Sequence, residues 1–278
     1  MDRAVSRRRT ALFTLAAVLT AVVGLAAPAP AAAAPSARAT ITPGVLMLTP
    51  LGQGGETSSC TADFVFRSPE DTYLGYAAHC AAGGDAMGLS GCEQPTVPVG
   101  TPVLIEAANG ARTEGLLAYT SWGTMQRRGE TDSNRCLHND FALVVLNPAD
   151  APRVDPTVPH LGGPTGLDTD GTRAGEPVYS YQPQHGGNAI KEGRSLGMEA
   201  GGLAHRVETS PAGRPGDSGS GYLDADGKAF GVLSTLFLDG SRTNGVTDLA
   251  HALSYANRYG GIGRVALVRG NEPFALRD

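Results

Sequence analysis

In Asn139-Asp140-Phe141-Ala142-Leu143-Val144-Val145-Leu146, six apolar residues run without a break between a carboxylate and the Asn147-Pro148 turn. A run of that length, rich in Val, Leu and Phe and bounded by turn residues, reads as a strand and is short for a helix. Similar runs stand on both sides of it, separated by Gly, Pro, Asp and Asn. Before it come Val45–Leu48, Cys60–Phe66, Tyr73–Ala78, Val103–Glu106 and Gly115–Tyr119; after it come Pro177–Tyr181, Leu203–Thr209, Gly221–Leu223 and Ala229–Leu238. The Pro- and Gly-rich passage 147–175 carries almost no periodicity, so it divides the chain into two comparable β-rich halves. Asp224-Ala225-Asp226-Gly227 is a hairpin signal, with Gly supplying the positive φ. One helix is expected, where Leu249, Ala252, Leu253 and Ala256 share a face and Gly260-Gly261 ends it. No internal repeat, no βαβ alternation and no glycine-rich phosphate loop after a strand is present, which argues against a doubly wound nucleotide-binding fold. A pair of small antiparallel barrels with a terminal helix fits the pattern, and that shape places a ligand cleft between the halves.

The 278 residues are 41% apolar and 18% charged, with 38 Gly and 19 Pro, the composition of a folded, turn-rich chain able to bury a core without metals. Arg3, Arg7, Arg8 and Arg9 precede an apolar run from Ala11 to Ala27 and small-residue cleavage sites between about Ala31 and Ala34, so residues 1–34 read as a secretory signal peptide. A retained membrane anchor is the alternative, and Arg8-Arg9 leaves the twin-arginine export route open. Removing 1–34 takes away four of the 22 basic residues and one of the 27 acidic ones, so the net charge of −5 becomes −8. An acidic mature protein has no basic groove for nucleic acid or an anionic membrane. Export implies an oxidising compartment, where Cys60, Cys80, Cys92 and Cys136 form two disulfides in one of three pairings.

Three places carry the residue types of nucleophilic catalysis. Gly216-Asp217-Ser218-Gly219-Ser220 surrounds a serine with small residues, which lets a carbonyl approach its Oγ and lets backbone N–H groups face an oxyanion; it also makes an ordinary polar turn. A serine needs a base, and His79 ends the apolar run 73–78 next to Cys80. No second His or Cys stands at zinc-ligand spacing beyond that adjacent pair, so a metal is not expected. His138, His160, His185, His205 and His251 lie in polar or loop contexts or on the terminal helix and are expected to face solvent. Asp140, at the edge of the apolar run, requires a hydrogen-bonding partner if buried, and an imidazole N–H is a suitable one.

Ala77-Ala78-His79-Cys80, Asn139-Asp140-Phe141-Ala142-Leu143 and Gly216-Asp217-Ser218-Gly219, in this order and 61 and 78 residues apart, resemble the motifs of the chymotrypsin/trypsin-like serine proteases, in the look of their secreted bacterial members. The resemblance covers nearly all of residues 35–278. It implies an all-β fold of two antiparallel six-stranded barrels, about 41–150 and 176–258, with a C-terminal helix. It also implies Ser218 as nucleophile, His79 as general base and acid, Asp140 as the group orienting His79, and the N–H groups of Gly216 and Ser218 as an oxyanion hole. Cys60–Cys80 matches the bridge beside the histidine, which leaves Cys92–Cys136. Phe230–Leu236, with Ser234, resembles the strand that pairs with substrate backbone.

Departures qualify the match. Ser220 replaces a second glycine and crowds the turn behind Ser218. No freed amino terminus is present to pair with Asp217, and the sequence around Thr209-Ser210 and Arg214-Pro215-Gly216 resembles secreted bacterial members, where an internal arginine serves instead. Ser210 or Ala212 forms the floor of the specificity pocket, with Leu236 and Gly245 on its walls, none of them charged; this implies small or aliphatic residues before the scissile bond. The expected partners are a polypeptide substrate and a protein inhibitor, acting on an extracellular monomer without cofactor. A non-catalytic binding protein on the same fold is the competing reading, while an α/β-hydrolase esterase is disfavoured because its histidine follows the serine.

Overall fold

The computed structural model describes residues 41–52, 55–83, 90–237 and 241–276; the signal-like segment 1–34 lies outside them. Five of the six apolar residues Phe141–Leu146 form β7 (Ala142–Leu146), buried along nearly its whole length between β4 (Thr72–Tyr76) and β6 (Arg112–Thr120). Phe141 packs edge-on to Phe66, with ring centroids 5.5 Å apart, and each such fully buried large side chain contributes about 1.5–3 kcal/mol.

β7 belongs to an eight-stranded antiparallel sheet. Its other members are β1 (Leu46–Pro50), β2 (Thr57–Thr61), β3 (Val65–Arg67), β5 (Pro102–Glu106) and the short β14 (Ala266–Leu267), in the order β14-β3-β4-β7-β6-β5-β1-β2. The expected single strand Cys60–Phe66 is thus two strands. Ala62 pairs with Val45 on one side, and Asp63 and Phe64 pair with Gly75 on the other, so three residues carry the chain directly from one end of the sheet to β3 near the other. The wrap is a six-stranded one with a bent strand, extended by β14.

The second half is a closed barrel, β10-β13-β12-β11-β8-β9. It comprises β8 (Pro177–Tyr181), β9 (Ile190–Glu199), β10 (Ala204–Ser210), β11 (Gly221–Leu223), β12 (Ala229–Leu236) and β13 (Thr243–Asp248). Val178, Val207, Tyr222, Phe230, Leu233 and Val246 fill its interior. The expected hairpin joins β11 to β12, with Gly227 at φ 73°. The C-terminal helix is present as α3 (Leu249–Tyr259), capped by Asp248. Two further helices are not foreseen by the pattern: α1 (Ser121–Arg128), which buries Trp122 and Met125, and the single-turn α2 (Ser133–His138).

One histidine departs from its expected solvent position. His205 is fully buried in β10, with Nε2 3.0 Å from Asp248 Oδ2 and Nδ1 2.8 Å from Thr172 Oγ1. Both ring nitrogens find polar partners inside the barrel, which removes the desolvation cost that otherwise drives histidine to the surface. Among the described residues no helix is long and apolar enough to cross a membrane.

Candidate active site

His79 sits in a 3₁₀ turn, Ala78–Ala81, just beyond β4, and Asp140 immediately precedes β7, the strand paired with β4. The sheet therefore brings the two side by side across 61 residues of chain. His79 Nδ1 lies 2.7 Å from Asp140 Oδ2, and the His79 backbone N–H donates to Oδ1 at 2.8 Å. A third donor is Ser234, whose hydroxyl reaches Oδ2 at 2.6 Å. Ser234 sits where the β12–β13 register slips, and the irregularity accompanies its contact with the carboxylate.

Asp140 is 2% exposed, while the His79 side chain keeps 28% of its surface. Burial pushes the Asp140 carboxyl up, but the charge and hydrogen bonds of His79 and the Ser234 hydroxyl outweigh it and hold the pKa below the ordinary value. Burial pushes His79 down, and the Asp140 charge and hydrogen bond overcome that, leaving its pKa raised above 6.5. Nδ1 is thereby fixed as the protonated nitrogen of the neutral ring, and Nε2 keeps its lone pair.

Ser218 is held to the same corner by its backbone. The Thr61 N–H donates to Ser218 O at 2.8 Å and the Thr61 hydroxyl to Gly216 O at 2.9 Å. Thr61 follows Cys60, which is bridged to Cys80, the neighbour of His79. Gly219, at φ 90°, lies so close to the first sheet that a Cβ would strike Thr61 O and come within 3.0 Å of Ala77 N. Only glycine allows that approach. Among the described residues the His79 ring is hydrogen-bonded to Asp140, and no hydrogen bond joins it to Ser218. Gly216 has φ 97°, and its carbonyl is turned to Thr61. Ser220, the departure from the second glycine, is accommodated: its hydroxyl donates to Asp217 O at 2.7 Å and closes the turn.

The second disulfide is Cys92–Cys136, which ties α2 to the turn around Cys92, 44 residues earlier in the chain. Cys60, His79 and Cys80 gather three metal-type donor atoms within 4.8 Å, but both sulfurs are spent on each other. A single imidazole remains, which is no metal-ligand set.

The pocket residues are less simply arranged. Thr235 pairs with Gly245 and Leu236 with Asn244 across β12–β13. The Asn244 carboxamide accepts from Gly213 N at 2.9 Å and donates to the carbonyls of Gly213 and Thr235, each at 3.4 Å, tying the walls together. Ser210 is exposed at the end of β10 and Ala212 is half-buried. Asn244, Thr61 and Gly213 carry no motif-level signal, because their contribution is a contact made across the chain. A cavity of about 130 Å³ opens beside Ser234 and Thr235, lined by Leu137, Phe237, Gly245 and Val246 among others.

No protein-family model matches the chain, and no curated relative is found by sequence. Solved structures do match. A glutamic-acid-specific serine protease described as using a histidine triad in substrate binding aligns with TM-score 0.50 at 18% identity, over 82% of this chain and 100% of its own. Protease A of Thermobifida fusca aligns with TM-score 0.49 at 18% identity, over 83% of this chain and 99% of its own. The chymotrypsin of Cellulomonas bogoriensis aligns with TM-score 0.49 at 16% identity, over 82% and 98%. The structure matched by the closed barrel, the second sheet and the C-terminal helix is the chymotrypsin/trypsin-like serine protease fold.

Proposed function

We propose that the chain is a secreted serine endopeptidase in which Ser218, His79 and Asp140 act as a triad. The observation that carries this reading is the buried carboxylate fixing His79 Nδ1 at 2.7 Å, in a serine-protease fold whose Ser218 turn is gripped by Thr61. His79 Nε2 takes the Ser218 Oγ proton as Oγ attacks the peptide carbonyl, and the N–H groups of Gly216 and Ser218 receive the oxyanion. The protonated imidazole then gives that proton to the leaving amine. Water, deprotonated by the same nitrogen, hydrolyses the acyl-enzyme. Residues 1–34 are removed on export, and 35–278 act as a monomeric catalytic unit; the two disulfides support an oxidising location. The absence of charge at Ser210, Ala212, Leu236 and Gly245 supports a preference for small or aliphatic residues before the scissile bond.

A serine-reactive fluorophosphonate tests the assignment on the secreted protein. Wild type is labelled and Ser218→Ala is not, and a peptide library is cut mainly after Ala, Val or Leu. An unlabelled, folded wild type would instead favour a binding protein that uses the cleft for recognition. A dominant cut after Arg or Lys would overturn the pocket reading alone.

A further inference from the structure

Asn139 immediately precedes Asp140, and its backbone is fully engaged. Its N–H donates to Arg135 O at 3.0 Å, and its carbonyl accepts the Ser121 hydroxyl at 2.6 Å. Its side chain is different. Asn139 is 5% exposed, yet neither the oxygen nor the nitrogen of its carboxamide has a hydrogen-bond partner among the described residues. Two N–H donors and an acceptor are thus buried unmet, a cost that a partner from outside those residues removes.

Asn139 lines a cavity of about 180 Å³ between α2 and α3. A single water needs roughly 10–15 Å³, so the space admits a ligand of several heavy atoms. Its frame is tied together, because the Thr247 hydroxyl, at the end of β13, donates to His138 O at 2.8 Å, and β13 runs into α3. Leu203 and Ala252 give it an apolar wall. Both acids on the wall are engaged. Glu130 Oε1 accepts the Thr131 and Asp132 N–H groups at 3.0 and 3.1 Å, and its Oε2 lies 3.6 Å from Arg135. Asp248 is shared by His205 and His251. Arg258, in contrast, has no carboxylate at ion-pair distance among the described residues; its guanidinium lies 5.1 Å from the centre of the Tyr259 ring, another part of the lining. Arg135 and Arg258 are exposed, so cations stand where the cavity meets solvent.

We propose that this cavity is a binding site for a small carboxylate that also carries an amide, the chemistry shared by an N-acylated amino acid and the C-terminal residue of a short peptide. The Arg258 guanidinium, aided by Arg135, takes the carboxylate. The Asn139 carboxamide pairs with the amide N–H and carbonyl, and the apolar wall covers the carbon atoms. A bound amide supplies the hydrogen bonds that Asn139 lacks, one residue from the acid that orients His79. The site is separate from the triad and does not depend on Ser218 being the nucleophile.

Calorimetric titration of the secreted protein carrying Ser218→Ala, a background without turnover, tests the site. N-acetylglycine is expected to bind once per chain; N-acetylglycinamide, which lacks the charge, and acetate, which lacks the amide, are expected to bind at least about tenfold more weakly. Arg258→Met and Asn139→Leu, with melting temperature as a folding control, are each expected to weaken N-acetylglycine about tenfold or more, and Arg112→Met, on β6, to leave it unchanged. If Asn139→Leu does not fold, the exposed Arg258 decides the matter. Trialanine separates the two sources: binding at least as tight as that of N-acetylglycine assigns a peptide terminus, and weaker binding assigns a free acylated amino acid. The proposal is overturned if neither ligand binds saturably, if N-acetylglycinamide or acetate matches N-acetylglycine, or if a folded Arg258→Met or Asn139→Leu keeps the full affinity.

Discussion

Asp63 is a buried acid that the site does not use, and its replacement makes a quantitative test of the first sheet. The residue is 1% exposed at the bend between β2 and β3. Oδ1 is engaged by the Phe64 N–H, and Oδ2 has no partner among the described residues. Burial pushes its carboxyl well above 3.8, only partly opposed by backbone hydrogen bonds. Between 3.8 and that raised value the folded chain holds a proton that the unfolded chain has released. Stability contributed by this proton is complete below the unfolded pKa and falls by about 1.4 kcal/mol per pH unit as pH rises through the window. Asp63→Asn keeps an acceptor for Phe64 and has no proton to take up, so it lacks this slope. Urea unfolding of both proteins at pH 5, 6 and 7 should show the variant gaining on wild type by about 1.4 kcal/mol per unit, up to the folded pKa. A stability difference that stays constant with pH would refute the reasoning, since it would mean that Asp63 is ionised and paired in the folded state. The position also matters for function, because Thr61, two residues earlier, grips Gly216 and Ser218.

Two further outcomes follow from the site. With its pKa raised by Asp140, His79 should set the acid limb of kcat/KM above pH 6.5, with activity dropping about tenfold per unit below the inflection; a flat profile down to pH 4 would remove His79 as the base. Gly219→Ala puts a Cβ against the Thr61 carbonyl in a backbone conformation with φ 90°, which should move Ser218 away from His79 and cost on the order of a hundredfold in kcat. Measured turnover within a few-fold of wild type would show that the contact between sheet and loop is not what seats the nucleophile.

What the sequence made legible is local chemistry. β7 is readable because nearly all of it is buried, so its apolar run is continuous; α3 is readable because one face meets the core. Where the inward residues are not apolar, the pattern vanishes. β9 directs Lys191 and Ser195 inward, with Gly193 packed under the Glu208 carbonyl, and leaves Leu196 and Met198 outside, the reverse of what alternation looks for. α1 opens with Ser121-Trp122-Gly123-Thr124, poor helix formers that are retained because Trp122 and Met125 are buried in the core. The same distinction divides the candidate site. His79, Asp140 and Ser218 each sit in a motif whose neighbours explain them, whereas Thr61, Asn244 and His185 act on residues far along the chain and have no local signature. Asp217 shows why the second kind escapes. Its neighbour Arg214 is the obvious cation by sequence distance, but the turn that buries the carboxylate uses the Arg214 N–H to close itself and leaves the guanidinium in solvent. Forming the turn and facing its buried carboxylate therefore fall to different residues. Among the described residues the basic nitrogen nearest Asp217 Oδ1, His185 Nε2 at 3.7 Å, comes from another loop.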